Sequence, residues 1–517
     1  MRADQPFFVT TPIYYVNDRP HLGHAYPTVA ADVLARFMRL DGSRVKFLTG
    51  TDEHGQKVER SAQTLGLTPQ QFTDDVSAMF RNMGRLLDIS NDDYIRTTEQ
   101  RHIRGVEALW RELEKRGEIY LGRFAGWYCV RDEAFYDESE LIAGANGGRL
   151  APTGAEVEWL EEENYFFRLS AWQDRLLAWY DANPDCVAPK SRRNEVISFV
   201  RSGLKDLSVS RTSFSWGVPV PGDPRHVIYV WLDALANYIT ALGYPDMNGD
   251  YSTFWPANVH VVGKDILRFH AVYWPAFLMA AGLEPPRRVF AHGWWTIEGQ
   301  KMSKSLGNGI PPDALVGRYG VDPARYFLLR ELPFGNDGDF SHRAVVGRIN
   351  SDLANGIGNL AQRVLVLIQR NCDGVVPEPA AVAAADGALL AAARSLLPQL
   401  RQHIAEQAFH LALEAIWRLI AEADRHINDE APWELRRSDP PRMRTVLYTL
   451  AETLRHLATL LQPFMPGSAA KLLDQLAVPH SARRFADLAT PLAPGLALPP
   501  PAGIFPRFVE AADAAGS

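Results

Sequence analysis

"PFFVTTPIYYVNDRPHLGHAYPTVAADVLARFMRLDGSRVKFLTG", residues 6–50, decides the fold. Residues 6–16 are rich in β-branched and aromatic side chains and read as a strand. Val29, Val33, Phe37 and Leu40 then recur at helical spacing until Asp41 and Gly42 end the run. "RVKFLTG" follows at once as a second strand. Strand, loop, helix and strand in this order form one βαβ unit of a parallel sheet.

Working outward, the alternation returns in strand-like "HVIYVW", "NVHVVG" and "RVFAHGW", separated by apolar helical stretches. These runs are expected to complete the same sheet. Residues 117–225, rich in Gly, Glu and aromatics, read as an insertion into a split nucleotide-binding fold. Beyond residue 340 the period becomes helical in "VGRINSDLANGIGNLAQRVLVLIQR", "FHLALEAIWRLIAEADRHI" and "MRTVLYTLAETLRHLATLLQ", which predicts an all-α bundle. The Pro-rich "PLAPGLALPPPAGIFPRF" is expected to lie extended over the surface.

Composition narrows the class. A chain of 517 residues is too long for one ordinary core and should divide into about three or four units. Hydrophobic residues at 46% and charged at 22% exclude fibrous and disordered chains. The apolar run Ala271 to Leu283 contains Pro275 and is too short to cross a bilayer, so it is expected in a core. The N-terminus carries Asp4 and enters a strand directly, so no signal peptide is expected. Only Cys129, Cys186 and Cys372 occur, in no CxxC spacing, which suits a reducing cytoplasm. A net charge of −7 argues against wholesale coating of nucleic acid but leaves room for a local basic face.

Two short motifs carry chemistry. "HLGH" sets His21 and His24 three residues apart where strand gives way to helix, on one face near the positive end of the helix dipole. Gly23 between them lets a base or ribose approach the backbone. Taken alone the pair is weak, since histidines at this spacing also cap helices. "GQKMSKSLGN", residues 299–308, concentrates Lys301 and Lys304 in a loop with glycine near each end. The chance of KMSKS arising anywhere in such a chain is on the order of one in several thousand. Mobile positive charge in a glycine-flanked loop suits a clamp for something very negative.

With "TPIYYVNDRPHLGHAY", "GTDEHGQK", "YVWLDALANY", "GKDILRFHAVYWPA" and "HGWWTIEGQKMSKS", the chain resembles the methionyl-tRNA synthetases, a class I aminoacyl-tRNA synthetase family, from about residue 5 to 480. The resemblance implies an α/β fold: a split Rossmann-type parallel sheet with an inserted connective subdomain, followed by an α-helical bundle. The implied division is 1–116 and 226–297 for the two catalytic halves, 117–225 for the insertion and 298–340 for the KMSKS loop and stem-contact region. The anticodon-binding helices would span 341–478 and the tail 479–517. The implied activity joins methionine to ATP with loss of pyrophosphate, then moves it to initiator and elongator tRNA(Met). ATP would act with Mg2+.

Residue by residue, the resemblance assigns His21, His24, Lys301 and Lys304 to catalysis, and Gly23, Gly263, Asp265 and His292 with them to ATP. Asp52 would anchor the amino group. Pro12, Ile13, Tyr15, Trp231, Ala234, Tyr238, His270 and Trp274 would complete the methionine site, with the sulfur against the Ile13 N–H and the Tyr238 hydroxyl. Asn359, Arg363 and Trp433 would read the CAU anticodon, as splayed bases are read by aromatics, Arg and Asn. The insertion departs from the family's zinc knuckle: Cys129 stays, Asp132 stands where the next thiolate would fall, and "GANGGR" lacks the second pair. No structural zinc is expected, since such a site needs four placed ligands. The insertion is also too short for a large editing domain. The expected protein is a cytoplasmic monomer. Two rivals, a small-substrate nucleotidyltransferase and a catalytically dead RNA-binding relative, fit less of the chain.

Overall fold

β1 (Pro6–Tyr15), α1 (Leu22–Leu40) and β2 (Arg44–Asp52) form as the periodicities dictate. The computed structural model describes residues 4–17, 19–132, 134–144, 148–297, 299–301 and 309–510. β1 and β2 pair in parallel from Pro6↔Arg44 to Tyr15↔Asp52, with the register broken between Thr10 and Ile13. Pro12 lies in that break, as a residue with no N–H to give the ladder must. The sheet runs Asp93–Arg96, β2, β1, Val259–Gly263, Val289–His292 and Val187–Ala188, all parallel. β1 sits between strands that follow it on opposite sides. This is a topological switch point, and a crevice opens at the strands' carboxyl ends.

Two expectations change. "HVIYVW" does not join the parallel sheet: its strand is Asp223–Ile228, antiparallel to Ser210–Arg211 and Pro219–Val220, and Val230 and Trp231 already belong to the helix Val230–Thr240. Short apolar runs rich in β-branched residues do not separate a strand from a helix buried all round. Nor is 117–225 one inserted body. Its antiparallel sheet joins Leu207–Ser208, Glu158–Phe167, Ile119–Cys129 and Ala134–Tyr136. The strand Val187–Ala188, however, is the sixth of the parallel sheet, and Leu176, Tyr180, Val196 and Val200 share the core of Trp274 and Phe277.

The C-terminal part is helical: Asn359–Asn371, Ala384–Ala405, Phe409–Glu430, Pro440–Leu461 and Pro466–Gln475. The helix Ala384–Ala405 was absent from the expectations because it is alanine-rich and contains Pro398; its buried Leu389, Ala393, Leu396, Leu400 and Ile404 are the signal that marks it. The tail runs extended across these helices, with a bridge Val375↔Ala497 and an exchange of hydrogen bonds between Asn350 and Phe508.

One buried guanidinium ties the halves together. Arg325, fully buried, donates to Asp32 of α1 at 2.6 Å, to Leu87 O at 3.0 Å, and to Phe464 O and Pro463 O at 3.0 and 2.9 Å. Burial would raise the Asp32 carboxyl, but Arg325, Arg36 and Ser90 hold it below its ordinary value.

Candidate active site

The crevice holds a cavity of about 1020 Å³. α1 begins at its edge with an unusual cap. His21 is the N-cap, and its Nδ1 accepts from the Gly23 N–H at 3.1 Å; His24 Nδ1 accepts from the His21 N–H at 3.1 Å. Both Nδ1 atoms are acceptors, so each ring carries its proton on Nε2. The rings lie 4.0 Å apart, and no acidic residue occupies the helix's first turn. The arrangement suits an anion: two neutral N–H donors at a helix N-terminus. Burial, with a smaller contribution from His21, holds His24 well below the usual imidazole range.

The lysine loop meets the same place. The hairpin of Trp295–Ile297 and Gln300–Lys301 pairs Lys301 with Thr296 through the backbone, and Thr296 and Gly309 both line the cavity. The Leu22 N–H bonds the carbonyl of Ile310, just past the loop, at 3.0 Å. Residues 302–308, Lys304 among them, lie outside the described residues, as does the Lys301 side chain.

Gly263, Asp265 and His292 line the same cavity. A Cβ on Gly263 would meet Asp265 Oδ1 and push that carboxylate from its present position. Trp294 donates from its indole to Asp265 at 3.2 Å, while Lys264 pairs with Asp337 at 2.5 Å. Trp294 was not anticipated; "HGWW" beside the loop was its only signal.

Pro12, Ile13, Tyr15, Asp52, Trp231, Ala234, Tyr238 and His270 come together in this one cavity. Trp274 does not: it is fully buried behind Tyr238, ring centroids 6.1 Å apart. Sequence cannot separate an aromatic lining a pocket from one supporting it. Trp231 stacks on Phe269 at 3.7 Å. His270 Nδ1 donates to Ile266 O at 3.0 Å, which leaves Nε2 to accept from the Tyr238 hydroxyl at 2.7 Å. The Tyr238 proton is therefore directed to His270.

Burial keeps His260 well below the usual range, and His270 down to about 4 despite its bond to Ile266. With His24, three imidazoles stay neutral in the folded chain while those of the unfolded chain protonate near pH 6.5. Below that pH the unfolded state binds more protons, so stability falls on acidification, by up to about 1.4 kcal/mol per site per pH unit. We expect the melting temperature to drop by several degrees between pH 7 and pH 5; a flat or rising profile by calorimetry would contradict the assignment.

In the helical part, Asn359 and Arg363 lie four residues apart at the start of Asn359–Asn371, Asn359 exposed. Arg363 donates to Asp424 at 2.9 Å and Asn428 at 2.7 Å, and its guanidinium lies over the Trp433 ring at 5.6 Å. Trp433 is 44% exposed, turned outward after Ala431, whose φ of 41° is left-handed.

A family model described as "tRNA synthetases class I (M)" matches residues 7–365, and one described as "Anticodon binding domain of methionyl tRNA ligase" matches 376–515. The chain belongs to the methionyl-tRNA synthetases. Within that family, the methionine–tRNA ligase of Mesorhizobium japonicum is 58% identical over 510 residues, 98% of each chain. That of Brucella suis is 57% identical over 508 residues, 98% of this chain and 99% of its own. The solved Mycobacterium tuberculosis methionyl-tRNA synthetase in complex with methionyl-adenylate is 53% identical, with a TM-score of 0.96 over 97% of this chain and 100% of that one.

The region around Cys129, where the sequence departs from the expected zinc knuckle, is organised by a carboxylate. Asp132 accepts from the Tyr136 hydroxyl at 3.0 Å, from Arg131 at 3.3 Å and from the Thr153 hydroxyl. The Cys129 thiol is buried, which pushes its pKa up. Among the described residues no three His, Cys, Asp or Glu side chains converge as metal ligands; residues 145–147 of "GANGGR" lie outside them. Arg131 and Asp132 also reach the cavity wall, a role the sequence did not suggest.

Proposed function

We propose that this chain, as a methionine–tRNA ligase, uses its cavity to activate L-methionine with ATP and then charges tRNA(Met), initiator and elongator alike. One observation carries the assignment of the site: the paired-imidazole cap, both ends of the lysine loop and the Asp52 pocket open into a single cavity. The methionine carboxylate oxygen bonds to the α-phosphorus as the bond to the bridging oxygen breaks, and pyrophosphate leaves with the electron pair. ATP enters as its Mg2+ complex. His21 and His24 donate from neutral Nε2–H groups to phosphate oxygens, while Lys301 and Lys304 close over the pyrophosphate; such donors act most where charge develops. Asp52 takes the ammonium, Asp265 the ribose, and Gly23, Gly263 and His292 border the nucleotide. Asn359, Arg363 and Trp433 receive the anticodon.

The test is amino-acid-dependent ATP–pyrophosphate exchange with each of the twenty amino acids, without tRNA. Exchange with methionine alone supports the pocket; none with any amino acid withdraws it. The pocket walls offer mostly apolar contacts, which discriminate by only about 1 to 3 kcal/mol per methylene. Norleucine should therefore support detectable exchange, with leucine and isoleucine far below it. Leucine exceeding norleucine would sink this reading. The same proposal takes the protein to be a cytoplasmic monomer without structural zinc, for which a 57.7 kDa species in sedimentation and zinc-free metal analysis are the expected results. Among the described residues no helix is long and apolar enough to cross a membrane.

A further inference from the structure

Asp52 and the aromatic wall of the pocket come from distant parts of the chain, and no sheet ladder joins them. Asp52 ends β2, while Trp231, Ala234 and Tyr238 lie on the helix Val230–Thr240. What bridges them is a buried cluster one layer behind the cavity. His54, two residues past Asp52, donates from Nδ1 to Asp233 Oδ2 at 2.6 Å. His102 donates from Nε2 to Asp233 Oδ1 at 2.8 Å, and its Nδ1 bonds the Thr240 hydroxyl at 2.8 Å. All four side chains are buried. A carboxylate only accepts, so both imidazoles present N–H to it. Burial alone would raise the Asp233 carboxyl, but His54 and His102 hold it down to about 2.

The cluster grips the helix at its first turn through Asp233 and at its last residue through Thr240. Between them, Gly105 of Gln100–Lys115 has no room for a Cβ against Thr240, so the two helices interlock. The β2 end is fixed as firmly. Glu53 takes Arg96 at 2.6 and 2.8 Å and the Thr98 hydroxyl at 2.6 Å, and the Trp216 indole donates to the Glu53 carbonyl at 2.6 Å while its ring meets His54. In "TDEH", Asp52 faces the cavity, Glu53 holds the strand end, and His54 reaches across to Asp233.

We propose that Asp233, held between His54 and His102, is a positioning residue that sets the distance from the amino-group anchor Asp52 to the side-chain wall, and so the side-chain length the pocket accepts. The inference rests on the amino-acid pocket described above. Buried ion pairs add little stability over apolar packing, whereas short charge-assisted bonds fix direction and distance. An ångström of misplacement in such a site costs up to about a hundredfold.

The experiment compares His54→Leu, His54→Asn, Thr240→Val and Asp52→Asn in the full chain by pyrophosphate exchange, with KM for methionine and for ATP, the methionine to ethionine ratio, and melting temperature. Asparagine can place its amide N–H where Nδ1 stood. We expect His54→Leu to raise KM for methionine about tenfold or more with KM for ATP within about twofold, and to narrow discrimination against the longer ethionine. His54→Asn should stay near the parent protein. Thr240→Val, nearly isosteric, should show the same pattern in weaker form and serves if His54→Leu does not fold. Both KM values rising together, or neither rising in a folded variant, overturns the proposal. If Asp52→Asn leaves KM for methionine unmoved, the pocket reading fails as well; if Asp52→Asn raises it and the cluster variants do not, only the positioning role fails.

Discussion

His24→Ala should slow methionine-dependent pyrophosphate exchange by about a hundredfold or more, the cost of removing one preorganised donor from developing negative charge. The His21 N–H occupies Nδ1 of this ring, so only Nε2–H can serve a phosphate. A glutamine amide can reach the Nε2 position and an asparagine amide cannot, so His24→Gln should retain part of the rate and His24→Asn should not. Because burial keeps the imidazole neutral well below pH 6.5, the wild-type rate should show no fall from His24 deprotonation between pH 6 and 8. A charged imidazolium would lose its effect as pH rose through its pKa. A rate for His24→Ala within a few-fold of the parent, with the fold intact by circular dichroism, would remove this residue from the chemistry.

Trp433→Ala should lower kcat/KM for tRNA in aminoacylation by about 5- to 150-fold, the equivalent of one base stacked on an aromatic, roughly 1 to 3 kcal/mol. Pyrophosphate exchange without tRNA should not change, since the indole stands in the helical part. Its ring has a face toward Arg363 and is 44% exposed, so truncation opens no core. Arg363→Gln is a less clean probe because it also removes the ion-pair partner of Asp424. Equal losses in the two assays would mean that Trp433 supports the fold and does not meet the anticodon.

The first βαβ unit was legible because three signals agree there: β-branched density in Pro6–Tyr15, helical spacing from Val29 to Leu40, and the Asp41-Gly42 stop. Where one signal stands alone, it misleads. Residues 226–231 have strand composition, yet Val230 opens a helix that is buried on nearly every side, and Val187–Ala188 is too short to show any period. The residues named from the family motifs line one cavity, but the motifs could not tell Tyr238, which lines it, from Trp274, which is buried behind it. Asp233 was unreadable as a partner of His54 and His102, which lie 179 and 131 residues away. Nothing local in those segments marks the pairing.

Arg325 bears on how such a chain can be rebuilt. The two family modules meet between residues 365 and 376, which invites exchange of the helical module between relatives. Yet two of the acceptors around this buried guanidinium are the carbonyls of Pro463 and Phe464, on the far side of that junction. A chimera that failed to present those carbonyls would keep the Asp32 ion pair but leave two buried guanidinium N–H groups without acceptors, at a cost of about 1 to 3 kcal/mol each. Compatible donors for domain exchange are therefore those whose turn before Pro466 carries the same backbone path, whatever their anticodon contacts.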